Sequence, residues 1–539
     1  MKNILILLLA VAAFFLTSCA APQQQKTADS PSNAVMDSTV DDLARVIQSP
    51  ELPVRGFGIV AGLFGTGSSE CPVELRPELE KFIWQQVPQA GAISPRRFIE
   101  SLDTAVVEVI GVIPAMASAG QSFDIIVRPL SETQTTSLSG GYLYTTDLKE
   151  MSRYTQFNQF ANTIARAQGP IFTDRNAQPG QPAWYVLGGG YPIANSNISL
   201  LLNKPDFLAA GTIRNRINER FGLKTANAVS AGEILITIPA AYQYDKLRFL
   251  SIIRRLYLAE QSALKSKRIQ TLIGQLQTES DKFTAEVSLE AIGRPALDEL
   301  APLLKSDDAA VRFHAARCMA NIGDTRPLGV LREFIFDPQS PYRAEAIQTV
   351  GRTMRLSDAE PILLRALGLD DMNLRIIAYE TAAAAKSVHI SRTLIAGSFY
   401  VDRVLCGGDK VVYAMRKDRP GIVIFGSPVR CSDNLFIKSD DEQVTLNARP
   451  GDKFLSVSRK HPARPRVIGP LASGFELTQI VRTLGEPPEV KQGSTALPGL
   501  ALSYNQIIEL IEKMCKNGVL NASFVQGELT KAGTLMQNR

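Results

Sequence analysis

The chain has 539 residues, 45% of them apolar, which is too long for one ordinary domain and enough to fill more than one core. A formal net charge of +5, with 21% charged residues and no long basic block, argues against nucleic acid as a partner. Six cysteines without a C-x-x-C pair, and only three histidines, exclude a zinc ribbon, a thioredoxin motif and an H-E-x-x-H site, so neither metal nor cofactor is expected.

The chain opens as an export signal. Lys2 is followed by the apolar run Ile4–Leu16, too short to span a bilayer comfortably and the right length for a signal-peptide core. It ends in Leu16-Thr17-Ser18-Cys19, which resembles a bacterial lipobox. Cleavage after residue 18 would leave Cys19 as a lipidated first residue, and Ala20 in place of Asp after it points to the outer membrane. Residues 19–41, rich in Gln, Ser and Pro, read as a solvated tether.

A glycine-rich stretch follows, "RGFGIVAGLFGTGSSE" at 55–70. Gly62 and Gly67 have P-loop spacing, but Ser68 occupies the lysine position, so nothing would reach a terminal phosphate. Gly56-x-Gly58-x-x-Ala61 fits a dinucleotide fingerprint in letters only, because the apolar run follows the glycines instead of preceding them. Turns and close backbone packing are the better reading.

From Leu102 to Leu130 the pattern is β: "TAVVEVIGVIP", a turn at Gly120, then "FDIIVRPL" with Phe123, Ile125 and Val127 on one face. "SLSGGYLYTTDL" and "WYVLGGGYPI" repeat the texture. Asp206 opens a helix with Ile213, Ile217 and Phe221 at helical spacing and Gly222 as its stop. A strand, "GEILITIPAAY", and a second amphipathic helix through Phe249, Ile252, Ile253 and Leu256 complete this part.

Residues 296–387 are helical, alanine-rich and repetitive. Arg312, Arg343 and Arg375 recur about every thirty residues, each after an Asp-bearing turn. The pattern resembles HEAT repeats, whose helix pairs bury their apolar faces on their neighbours. Cys318 and His314 fall within one of these helices and read as packed side chains. β texture returns at "DKVVYAMRKDRPGIVIFG", and the last helix carries a stripe of Ile507, Ile508, Ile511 and Met514 before Gly518.

Taken together, the β segments resemble the bacterial flagellar P-ring protein family. The resemblance rests on "GFGIVAGLFGTG", with Phe64 where the family usually has Asn, on "VVEVIGVIPAMASAGQSFDIIV", and on "SLSGGYLYTTDL", with Asp147 in place of proline. It continues through "LLNKPDFLAAGTIRNRINERFG", "DKVVYAMRKDRPGIVIFG" and the final helix, in the family's order. It implies an α+β fold: a P-ring-like β-rich body, residues 42–260 and 409–539, interrupted by an all-α HEAT-like solenoid with linkers at 261–408. That solenoid is expected to project from the body, its flanks 261–286 and 388–408 closing the gap. A lipoprotein signal departs from the family's usual cleavable one.

The resemblance implies a non-enzymatic subunit of a homo-oligomeric ring around the distal rod in the periplasm. Its expected partners are its own copies, rod and L-ring proteins, peptidoglycan, and a membrane through lipidated Cys19. Two rivals stand beside it. One is an outer-membrane-anchored scaffold with this fold and no flagellum. The other is an exported penicillin-binding-type serine enzyme, because Ser262-x-x-Lys265, Ser432-Asp433-Asn434 and Lys531-Ala-Gly533 imitate that motif set in order. Excluding Cys19, five cysteines remain, so not all can pair within one chain. Cys406 and Cys431 flank the strand in "RPGIVIFG" and are the candidate disulfide for an oxidising compartment.

Overall fold

The computed structural model describes residues 38–86, 94–151, 162–178, 181, 183–259, 261–460, 467–488 and 498–530. The chain divides into two units: residues up to Val46 with Ser199–Leu300, and Ile47–Ile198 with Ala301 onward. Strand β1 (Ala44–Gln48) leaves the first unit, and the chain then builds the N-terminal body of the second.

That body is a closed antiparallel β-barrel. Its strands are β2 (Leu52–Ala61), β3 (Thr104–Ile113), β4 (Phe123–Pro129), β5 (Tyr142–Glu150), β6 (Ala165–Pro170), β7 (Phe172–Thr173) and β8 (Trp184–Pro192). They pair in the order β4-β3-β2-β5-β6-β8-β7, and β4 also pairs with β8, which closes six strands into a ring. Val54, Val107, Phe123, Ile125, Val127, Leu143 and Val186 fill the interior. Outside, α1 (Arg76–Gln86) and α2 (Pro95–Ile99) bury Ile59 and Val106 beneath Leu79, Ile83 and Ile99. Strand β3 is therefore apolar on both faces, and its sequence does not alternate cleanly.

The glycine-rich stretch is β2 and the turn after it. A Cβ at Gly56 would fall far inside contact distance of the Asp147 carbonyl, and one at Gly58 would collide with Thr146. The glycines let β2 lie against β5, where the register shifts between Arg55 and Val60.

The smaller unit forms around β9 (Ile198–Leu202), β10 (Ala226–Ala228) and β11 (Glu233–Ile236), in sheet order β1-β9-β11-β10. Helix α3 (Phe207–Phe221) starts where the Asp206 carboxylate accepts the N–H of Leu208 at 2.7 Å. Helix α4 (Lys246–Arg254) packs beside it through Phe221, Tyr242 and Phe249, whose ring centroids lie 4.9–5.6 Å apart. Next come α5 (Ser262–Thr278) and α6 (Lys282–Ile292). Arg248 of α4 donates to Glu286 and Glu290 of α6, and all three side chains are buried. Burial opposes the charge on Arg248 but the two carboxylates outweigh it, while burial raises the Glu290 carboxyl.

In the larger unit the helices continue as α7 (Ala309–Ile322), α8 (Leu328–Phe336), α9 (Arg343–Thr353), α10 (Leu356–Ala366) and α11 (Met372–Ala384). They are followed by β12 (Ile390–Ile395), β13 (Phe399–Val404), β14 (Val411–Met415) and β15 (Gly421–Phe425). With β20 (Ser523–Gln526) these strands make a five-stranded sheet, β12-β13-β15-β14-β20. A second sheet is the antiparallel meander β16 (Leu435–Lys438), β17 (Val444–Ala448), β18 (Leu455–Lys460) and β19 (Val467–Ser473). Helices α12 (Leu477–Gly485) and α13 (Tyr504–Lys516) complete the region.

Alternation along β15 sorts its side chains into two cores. Val423 and Phe425 join Val404 and Val411 under Ile347, Leu363 and Ala378 of the helix stack. Ile422 and Ile424 face Ile480, Val481, Ile507 and Ile511 of α12 and α13. Two sequence expectations are corrected here. Residues 388–408 are not a linker but the hairpin β12–β13, since "ISRTLIAGSFYVDRV" sends Ile395, Phe399 and Val401 into the core. Residues 261–286 hold α5 and the start of α6, and α7–α11 form a layer on a sheet instead of hanging from it by tethers.

Candidate functional site: the joint between the barrel and the C-terminal sheets

The regions on either side of the helix stack share one core. Ile126, Phe172, Tyr185 and Leu187 of the barrel pack with Ile395, Phe399, Ile422, Leu502 and Tyr504. Tyr504 is buried, and its hydroxyl donates to the carbonyls of Met415 (2.7 Å) and Gly421 (2.8 Å).

At the rim of this core, the Asp124 carboxylate of β4 gathers three distant segments. It accepts the N–H of Gly188 at 2.7 Å, the N–H of Asp418 at 3.0 Å and the hydroxyl of Thr530. Gly188 has φ +60°, and a Cβ there would run into the Asp418 carbonyl, so the β14–β15 turn can seat only on a glycine. Burial, then the neighbouring Asp124 charge, raises the Asp418 carboxyl.

Further round, charges alternate along a cleft of about 330 Å³ lined by Asp174, Arg175, Arg416, Asp440, Glu509 and Lys513. Arg175 meets Glu509 at 2.8 Å, Lys513 meets Asp440 at 2.7 Å, and Arg416 meets Asp174 at 3.6 Å. Burial pushes the Glu509 carboxyl up to about 7 against the opposing pull of Arg175. Under the helix stack, buried Asp402 of β13 takes a two-pronged Arg392 and the hydroxyl of Tyr379 from α11. These groups neutralise one another, an arrangement suited to holding segments together.

The residues singled out from sequence fall as follows. Cys19 lies outside the described residues. Cys406 and Cys431 are free thiols: Cys406 packs against the helix-stack core, its Sγ 4.0 Å from Arg375, while Cys431 lies in the core under α12 and α13. The expected bridge is absent because the strand between them sends them to different cores. Burial pushes the Cys431 thiol up to about 11, away from reactivity. Ser262 begins α5, and its carbonyl accepts the Ser266 hydroxyl; Ser432 turns its hydroxyl onto the Asn434 backbone. Lys531–Gly533 lies outside the described residues. Among the described residues no group of three His, Cys, Asp or Glu side chains is placed to hold a metal, and no helix is long and apolar enough to cross a membrane. Sequence reasoning missed Asp124 and Glu509, although the triple glycine at 188–190 marked one half of the Asp124 joint.

A family model described as the flagellar P-ring protein matches residues 39–183 and 191–269, which include the whole described barrel apart from part of β8. This region carries the P-ring family pattern. A HEAT-repeat model matches 269–351. The P-ring region is similar to flagellar P-ring protein 1 of Hahella chejuensis, 28% identical over 269 residues, covering 47% of this chain and 66% of that protein. It is also similar to the flagellar P-ring proteins of Thermotoga maritima, 29% identical over 236 residues, and Thermotoga petrophila, 28% over 236, each covering 40% of this chain. The chain thus spans 66% of the length of these P-ring relatives. The family match ends at 269, before the C-terminal blocks that the sequence suggested as P-ring-like.

Proposed function

We propose that this chain is a structural subunit of the flagellar P ring, assembling in many copies in the periplasm around the distal rod as a bushing. The observation that carries the reading is the family match across the closed barrel, which shares one apolar core with the C-terminal sheets and helices. A bushing needs stiffness and ring-closing contacts, and a barrel without free edges locked onto two sheets supplies stiffness. In this reading the neighbours are rod and L-ring proteins and peptidoglycan, Cys19 ties the subunit to the outer membrane by a lipid, and the helix stack offers a surface to a further protein.

Electron microscopy of basal bodies purified with and without the protein tests this. Loss of the ring at the level of the peptidoglycan is expected. A ring that persists would sink the bushing role and leave an envelope scaffold with a P-ring-like fold. Labelled palmitate entering the wild-type chain but not a Cys19→Ala variant is expected for the anchor.

A further inference from the structure

The stretch 523–530 crosses from the five-stranded sheet to the barrel. β20 pairs with β14 alone, in parallel, so it is an edge strand with the weaker of the two ladder geometries. Ser523 and Gly527 donate their N–H groups to the carbonyls of Lys410 at 3.0 Å and Ala414 at 2.8 Å. The Gly527 carbonyl accepts Arg416 Nε at 2.7 Å, and the Gln526 amide donates to Glu512 of α13 at 2.9 Å. At the far end the Thr530 hydroxyl donates to Asp124 of the barrel. Burial sets this stretch apart from its neighbours. Every residue of β15 is buried, whereas in 523–530 only Gly527 is, and Phe524, Val525 and Leu529 reach the rims of the two cores half-covered. Gly527 leaves no slack: a Cβ there would lie 2.8 Å from the Tyr413 hydroxyl and 3.0 Å from the Ala414 carbonyl oxygen.

We propose that 523–530 is a strap that unfastens as one unit while the sheet and the barrel stay folded. Segments with little buried surface and ladder bonds on one side only open locally, at a free energy below that of global unfolding. The fastenings at Gly527 and Thr530 are coupled because they stand close together in the chain. Once either is seated, the backbone between them has little freedom left to lose, so the other closes at low entropic cost. Seated, the strap covers the edge of β14, and Gln526 forms part of the wall of the charged cleft. Released, it bares the backbone N–H and C=O groups of β14 and opens the cleft on that side, so the strap gates access to both. The shared core persists without it, because Ile126, Phe172, Tyr185 and Leu187 meet Ile395, Phe399 and Tyr504 independently of the strap.

Hydrogen exchange of the full chain, read by mass spectrometry at low denaturant, tests this with two variants. Thr530→Val removes only the terminal fastening. It is expected to speed exchange about tenfold across 523–527, by the same factor as next to the substitution, since a hydroxyl bonded to a carboxylate is lost. Gly527→Val should raise exchange of the same amides further. In both variants exchange in β13, β15 and the barrel strands is expected to stay at the wild-type rate. Acceleration confined to 528–530 would show fraying from the end and overturn the unit. Strap amides that exchange in the wild type only together with those of β15 would overturn it too, by making the stretch part of the sheet's core. If the Gly527→Val chain fails to fold, Thr530→Val, at the strap's end, decides alone.

Discussion

Asp124 receives hydrogen bonds from β8, the β14–β15 turn and Thr530, far along the chain. Asp124→Ala would leave two backbone N–H groups unpaired at the rim of a shared core, a loss of about 1–3 kcal/mol for each group that water cannot reach. A clear fall in melting temperature is expected; an unchanged melt would show that water replaces the carboxylate. Glu509 acts differently. Its folded value near 7 lies above the ordinary glutamate value of about 4.3. Its stabilising contribution is therefore complete below about 4.3 and is lost as pH rises through 7. Glu509→Gln should flatten the stability profile between pH 4 and 8, with its gain at the upper end. Melts across that range check it, and a profile as steep as wild type overturns it.

The three arginines read from the sequence as a repeat mark have one function at the level of helices. Arg312 donates to the carbonyls of Ser306 and Asp307, Arg343 to Ile335 and Arg375 to Leu367, each closing the C-terminal end of the helical segment before it. Arg375 does more: it is buried, donates to the Asp409 carbonyl and lies 4.7 Å from the Phe425 ring centroid. Arg343→Ala should cost about 1 kcal/mol, and Arg375→Ala about 3 kcal/mol, because it also strips the helix–sheet contact. Equal losses in denaturant titrations would count against the assigned difference. The repeat was legible because capping recurs with the helices. So were the ends of α3, fixed by Asp206 and Gly222, and the stripe of α13. The hairpin β12–β13 was missed because it follows directly on the helix run, and the β texture of the sequence is plain only from Asp409 onward. The Asp124 joint was missed because its members lie up to 406 positions apart, and no local pattern records such pairing.

For the molecule as a whole, the helix stack is structural before it is anything else. Removing residues 309–384 would uncover Val404, Val411, Val423 and Phe425, so the five-stranded sheet should become sensitive to limited proteolysis while the barrel stays resistant. Equal protection of both regions in the deletion would show that the stack is dispensable to the sheet.

The shared core also dictates an order of events in the making of the protein. Phe172, Tyr185 and Leu187 have no cover of their own until the segments from Ile395 onward arrive, so a nascent chain carries a sticky half-finished surface across roughly 200 residues of further synthesis. At ~5–20 residues per second that is a wait of about 10–40 s. Until then the unfinished chain exposes this apolar face to whatever other protein it meets.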